Sequence, residues 1–307
     1  MGWRSRFRRQ PAAVLSAWTL VGILLLVLVW PLTLHLASHL GPQATTLAQH
    51  YLPDHLSDEQ FQPPSLRHWF GTDVHGRDLW SRVLYGAQLS LLVGVIGAGV
   101  SLVIGVLWGA VAGYAGGRVD AALMRLVDIL YSLPSIVFVI VLITTLEALF
   151  KHWLGASGSP LLVHSARLLF LFFGLGAFSW LTMARIVRGQ VLSLRARAFV
   201  EASRALGAGP VRILFRHILP NTFGVIVVYL TLTVPAILLY ESFLSYLGLG
   251  VQPPMASWGS LIAEGADQMN PFRIYWWLIA FPAGFLVLTL MALNFLGDGL
   301  REAFDVR

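Results

Sequence analysis

Six apolar runs set the limits on what this chain can fold into. They fall near Val14–Leu36, Leu89–Gly113, Leu126–Phe150, Leu168–Val187, Phe223–Tyr246 and Tyr275–Leu296. Each is about long enough to cross roughly 30 Å of hydrocarbon as a helix. A helix satisfies its own backbone hydrogen bonds, so an apolar run of this length reads as a helix in a bilayer. The rest of the composition agrees: 12% of residues are charged and mean hydropathy is +0.72, whereas a soluble domain carries about 25% charged residues. The expected fold is an all-α membrane protein with about six transmembrane helices.

Basic residues set the expected orientation. Arg4, Arg6, Arg8 and Arg9 precede the first run, Arg118 and Arg125 follow the second, seven arginines lie between Arg185 and Arg216, and Arg301 and Arg307 end the chain. The alternate segments hold only Arg67, Arg77, Arg82, Lys151, Arg167 and Arg273. The positive-inside rule then predicts cytoplasmic N- and C-termini. The first run resembles a signal peptide in its flanking charge, but a secretory apolar region is about 7–15 residues. An uncleaved first helix is the better reading, with residues 1–13 as a cytoplasmic N-terminus and 14–307 as a single transmembrane domain. Dispersal of the arginines between apolar runs explains the pI near 10.1 without a nucleic-acid partner and leaves membrane lipid as the neighbour.

Several chemistries are excluded. The absence of cysteine removes disulfides, zinc–thiolate sites and a Cys nucleophile. A phosphate-binding loop needs G-x-x-x-x-G-K-[ST], yet the single lysine is Lys151, in Phe-Lys-His-Trp of a predicted outer loop. The chain is therefore expected to have no ATPase site of its own; no catalytic residue and no metal site are assigned to it, and it is not expected to be an enzyme.

Within the second run, Gly105, Gly109 and Gly113 recur every four residues, a face on which another helix backbone can approach closely; pore lining is the alternative. Pro134 and Pro235 interrupt the third and fifth runs, where each removes a backbone donor and invites a kink.

Three segments outside the runs are long enough to act: outer segment 37–88, cytoplasmic segment 188–222 and outer loop 247–274. In the second, Val200–Asn221 reads VEASRALGAGPVRILFRHILPN. Glu201–Leu206 favours helix, Gly207-Ala208-Gly209 supplies a turn, and Pro210 suits the first position of a second helix that Pro220 is expected to stop. Val211, Leu214, Phe215 and Ile218 fall at i, i+3, i+4 and i+7, with Arg212 and Arg216 on another flank, as in an amphipathic surface helix.

These residues resemble the EAA loop of ABC importer permeases. Glu201 and Ala202 open the motif, Ser203 stands at its third position, Gly207 follows, His217 occupies an Ile position, and Leu219-Pro220 closes it. HWFGTDVHGRDLWSR at His68–Arg82, VDILYSLPS at Val127–Ser135 and LSYLGLGVQPP at Leu244–Pro254 are similar to blocks of the dipeptide, oligopeptide and nickel branch, with the closest likeness to its C-type permease. The resemblance implies a type I ABC importer permease fold in the bacterial inner membrane. It implies a second, B-type permease, two cytoplasmic ATP-binding subunits that carry ATP and Mg, and an extracytoplasmic solute-binding protein. Glu201, Ala202, Ser203, Gly207, Arg212, Arg216, Leu219 and Pro220 would form the ATPase-coupling surface. Alternating access would be the mechanism, with peptide as cargo and nickel or another small solute as the alternative.

A gradient-driven carrier would need ionisable groups near the midplane. Asp128 and Glu147 sit near the ends of the third run, and Glu241 lies late in the fifth. Glu241 can face a translocation path or satisfy a hydrogen bond between helices; Tyr131, in the VDILYSLPS block, is the other path candidate. The polar groups of His68–Arg82 read as turn and cap residues, with Arg77 expected to bind Asp73 or Asp78. Six of the nine histidines lie between His35 and His75, which raises nickel handling without establishing it. The loop 247–274 can receive a binding protein or pack on its own bundle.

Overall fold

The computed structural model describes residues 3–154, 160–253, 255–269 and 271–304. Twelve α-helices form among them: α1 (Trp3–Arg8), α2 (Pro11–Ala37), α3 (Pro42–His50), α4 (Leu79–Ala115), α5 (Gly117–Tyr131), α6 (Ser135–Leu154), α7 (Pro160–Arg195), α8 (Ala198–Ala205), α9 (Pro210–Ile213), α10 (Leu219–Tyr246), α11 (Trp258–Asp267) and α12 (Trp277–Phe304). Six helices of the described residues are long and apolar enough to cross a membrane: α2, α4, α6, α7, the continuous α9–α10 stretch, and α12. Large apolar side chains such as Leu15, Trp18 and Leu28 of α2 and Leu149 of α6 lie exposed, as expected where lipid is the solvent.

The third apolar run is not one helix. It breaks between Tyr131 and Ser135 because Pro134 has no N–H and disfavours helical backbone at Leu133. Ser132 N–H closes the end of α5 on the Asp128 and Ile129 carbonyls, and the Pro134 carbonyl accepts from Phe138 N–H to start α6. The spanning helix is thus 135–154, preceded by an amphipathic α5 in which Asp120, Met124 and Val127 are the buried residues. Two other boundaries also move: α4 starts at Leu79, and α7 runs to Arg195, into the segment expected to be loop.

The chain forms two compact units. One comprises Met1–Ala13, Gly94–Ile237 and Leu296–Arg307. In it the glycine face of α4 is a packing face. A Cβ at Gly105 would come within 2.6 Å of the Met183 Cβ, and one at Gly113 within 2.8 Å of the Arg188 carbonyl. Gly109 sits against the Ala184 carbonyl, so the four-residue glycine repeat matches the α7 backbone turn by turn, the small-residue packing of membrane helices.

The other unit comprises Val14–Val93 and Leu238–Phe295. Trp30 of α2 donates Nε1–H to Ser81 Oγ at 3.0 Å, and Gln88 of α4 donates to the Val27 carbonyl at 2.9 Å. Phe70 stacks on Phe281 of α12 at 3.8 Å between ring centroids. The loop 247–274 contains α11, opened by a reciprocal cap between Ser257 and Ser260. Trp258 is fully buried; its Nε1–H donates to the Val83 carbonyl and its backbone N–H to Ser90 Oγ, both at 3.1 Å. That part of the loop packs within its own unit.

Candidate functional site

The segment after α7 becomes a helical hairpin. Glu201 lies in the first turn of α8, where a carboxylate suits the partial positive charge of a helix N-terminus. The helix ends when Ala208 N–H bonds the Ser203 carbonyl at 3.0 Å and Gly207 N–H bonds the Arg204 carbonyl at 2.9 Å. This paired closure requires left-handed backbone at the residue past the helix, and Gly207 supplies it with φ of 81°. Space is not the constraint, since a Cβ there would meet nothing within 4 Å.

The second arm differs from expectation. Pro210 does open α9, but Pro220 does not stop the chain, which continues into α10. Leu214–Ile218 forms a π turn, with Leu219 N–H bonded to the Leu214 carbonyl five residues back. Such a widened turn is one way a helix passes a residue lacking its donor. It also changes which side chains face inward. Ile213, Leu214 and Ile218 are buried, while Val211 and Phe215 are exposed. With five residues in the turn, 213 and 218 share a face that a 3.6-residue period does not predict.

Ile213, Leu214 and Ile218 join Val200 of α8 and Met183, Val187 and Val191 of α7 in one apolar cluster. The hairpin is therefore anchored from both arms, and its other side is free. Glu201, Ala202, Gly207, Arg212, Arg216 and Pro220 are exposed, and Ser203 and Leu219 are partly buried. Ser203, Gly207, Arg212 and Arg216 line one shallow concavity together with Leu206 and His217. The structure thus brings four of the eight expected coupling residues around a single depression.

Asp120 of α5 accepts two hydrogen bonds from Arg188 of α7, at 2.5 and 2.7 Å. The Arg188 hydrogen bond holds the Asp120 carboxyl below the usual carboxylate range against the opposing effect of burial. Arg195 donates to the Tyr114 carbonyl at 2.6 Å, at the end of α4. Neither arginine was singled out by motif; the signal was a lone acid beside the Gly116-Gly117 turn, facing a basic segment. Tyr131, at the end of α5, places its ring under the Arg185 guanidinium at 4.0 Å and hydrogen-bonds Thr182, while Arg185 pairs with Asp128 at 2.7 Å.

Glu241 is fully buried. One carboxyl oxygen accepts from Ser245 Oγ at 2.6 Å, and Ser245 Oγ in turn accepts from Val251 N–H at 3.2 Å and Ser257 Oγ at 3.3 Å. Ser245 lies one turn on in the same helix, and the second carboxyl oxygen of Glu241, Oε2, is buried without a hydrogen-bond partner among the described residues.

The His68–Arg82 block folds as a turn closed by an antiparallel bridge between Thr72 and Asp78. Asp73 takes both arginines, Arg77 Nε and Arg82 Nη1, each at 2.7 Å. Asp78 instead caps α4 through Ser81 N–H at 2.9 Å and binds His68 Nδ1 at 2.9 Å. Arg82 also pairs with Glu264 of α11 at 2.6 Å, a partner 182 residues away that no local motif announced.

A family model described as binding-protein-dependent transport system inner membrane component matches residues 105–307. The oligopeptide transport system permease protein OppC of Escherichia coli K12 is 44% identical over 302 residues, covering 98% of this chain and 89% of that protein. OppC of Haemophilus influenzae is 46% identical over 78% of this chain and 70% of that protein. The dipeptide transport system permease protein DppC of Bacillus subtilis is 45% identical over 80% of this chain and 71% of that protein. Among solved structures, the inward-facing MetNI methionine ABC transporter shares the fold, with a TM-score of 0.56 at 21% identity over 74% of this chain and 98% of that chain. With six helices among the described residues long and apolar enough to span a membrane and these matches over most of its length, the chain belongs to the family of binding-protein-dependent transport system inner membrane components, the multi-pass permease subunits of ABC importers.

Proposed function

We propose that this chain is the C-type permease of an ATP-driven importer of dipeptides or oligopeptides. It pairs with a B-type permease, rests on two cytoplasmic ATP-binding subunits, and receives cargo from an extracytoplasmic binding protein. Both termini are cytoplasmic, and residues 14–307 act as one permease domain. ATP and Mg belong to the partner subunits, and this chain holds neither. Names of relatives similar over most of the chain support the cargo.

The observation that carries the coupling role is the two-sided hairpin of residues 198–218. Its buried side is fixed to α7 through Val200, Ile213, Leu214 and Ile218. Its free side presents Glu201, Ala202, Gly207, Arg212 and Arg216. A lever needs both: an exposed contact for the ATPase and a stiff attachment to a spanning helix. Closure of the two ATPases would push the hairpin, and α7 and α10 would carry the displacement to the path, switching the pair between outward and inward states. Asp120 and Arg188 would keep α5 moving with α7.

Uptake of a labelled tripeptide into vesicles holding both permeases and both ATPases, with binding protein and ATP on their proper sides, tests the cargo. Binding-protein-dependent uptake that excess unlabelled peptide suppresses and nickel does not supports peptide. Uptake driven by an ion gradient without ATP would replace this reading with a secondary carrier.

A further inference from the structure

The segment between α3 and α4 gathers three side chains that the transport reading does not use. His50 ends α3, Glu59 lies in the following loop and His68 opens the turn before α4. One ligand atom from each lies within 4.8 Å of the others. His50 Nε2 is buried without a hydrogen-bond partner, an arrangement that costs free energy unless something else satisfies it.

The surroundings of His68 sharpen the point. Its ring is almost fully enclosed, with Nδ1 2.9 Å from Asp78 Oδ2 and Nε2 2.9 Å from Glu59 Oε2. A neutral imidazole has one N–H. If Asp78 takes it, a nitrogen lone pair faces a carboxylate oxygen, which is repulsive. A second ring proton relieves that contact alone. A cation relieves it and also gives His50 a partner.

We propose that His50, Glu59 and His68 form a binding site for a divalent first-row cation of the zinc class, with Asp78 orienting the His68 ring from its far side. Two imidazoles and one carboxylate, with a fourth position left for water, are a set that zinc accepts. A carboxylate on the other ring nitrogen is the usual support of a metal-bound histidine. Glu59 keeps Oε1 on Arg67 at 2.6 Å, leaving Oε2 for the metal. Binding would clip the end of α3 to the turn that starts α4. The inference stands independently of the cargo.

The test uses the full chain purified in detergent, stripped with a chelator and then loaded with Zn²⁺ or Co²⁺. One zinc retained per chain after gel filtration, with a tetrahedral Co²⁺ absorption spectrum, is expected for the wild type and for His152→Ala. His50→Ala and Glu59→Gln are each expected to weaken retention by about tenfold or more, and Asp78→Asn by about 10–100-fold. Glu59→Gln preserves volume and keeps one acceptor oxygen for Arg67, so it reports on the site even if His50→Ala disturbs folding. No retained metal in the wild type, or equal retention in wild type, His50→Ala and Glu59→Gln, would overturn the proposal.

Discussion

Arg188 grips Asp120 through two parallel hydrogen bonds, Nε to Oδ1 at 2.5 Å and Nη2 to Oδ2 at 2.7 Å. This fork ties the amphipathic α5 to the end of α7 next to the hairpin. Removing it with Asp120→Ala should cost about 1.5–3 kcal/mol, the usual range for a charge-assisted bond. Thermal unfolding in detergent measures the loss, and Asp120→Asn should fall between wild type and Ala.

The same pair sets a pH dependence. Folding lowers the Asp120 pKa, so its contribution is complete above the unfolded carboxylate value, about 3.9, and is lost as pH falls through the lower folded value. Wild-type thermal midpoints should therefore drop faster on acidification below about pH 4 than those of Asp120→Asn. Parallel curves for the two proteins would remove Asp120 from the account.

Glycines on α4 should separate by position. Gly109 rests on the Ala184 carbonyl, whereas a Cβ at Gly99 meets nothing within 4 Å. Gly109→Val should force α4 from α7 and lower the thermal midpoint or the yield of folded protein. Gly99→Ala should be neutral or stabilising by about 0.5–1 kcal/mol, the helix preference of Ala over Gly.

Arg82 is 3% exposed and shares its guanidinium between Asp73 and Glu264. Truncating one partner of a buried ion pair typically costs about 3–5 kcal/mol. Asp73→Ala should approach that figure, and Glu264→Ala should cost less because Glu264 is 36% exposed. A double-mutant cycle with Arg82→Met measures the coupling.

Leu206, 88% exposed at the hairpin tip, has no packing role inside the chain. Leu206→Asp should leave the thermal midpoint of the isolated permease within about 0.5 kcal/mol of wild type yet weaken capture of the ATPase subunits. Gly207→Ala should impair capture as well, since left-handed backbone costs an L-residue about 1–2 kcal/mol; Gly207→Asn should restore part of it.

Much of this was legible from local pattern. Apolar run length located the spanning helices, the glycine repeat announced the α4–α7 contact, and Glu201, Gly207 and Pro210 marked the hairpin. Each is a signal carried by residues within a few positions of one another. What escaped depended on geometry that spacing does not encode. Apolar character continues through 126–150, so hydropathy hid the break at Pro134. The π turn at Leu214–Ile218 let the helix pass Pro220 and rotated Val211 and Phe215 outward, defeating a 3.6-residue count. Arg82 with Glu264, and His68 between Asp78 and Glu59, are pairings made by folding, with many acids equally available to each base in the linear chain.

Coupling through the hairpin is the central claim, and co-purification with the ATPase subunits, with binding-protein-stimulated ATP hydrolysis in vesicles as the companion readout, tests it most directly. Wild-type chain should capture the ATPases and respond to the binding protein, while Glu201→Lys combined with Gly207→Asp should lose capture or stimulation. Equal capture and equal stimulation by the two proteins would contradict the account.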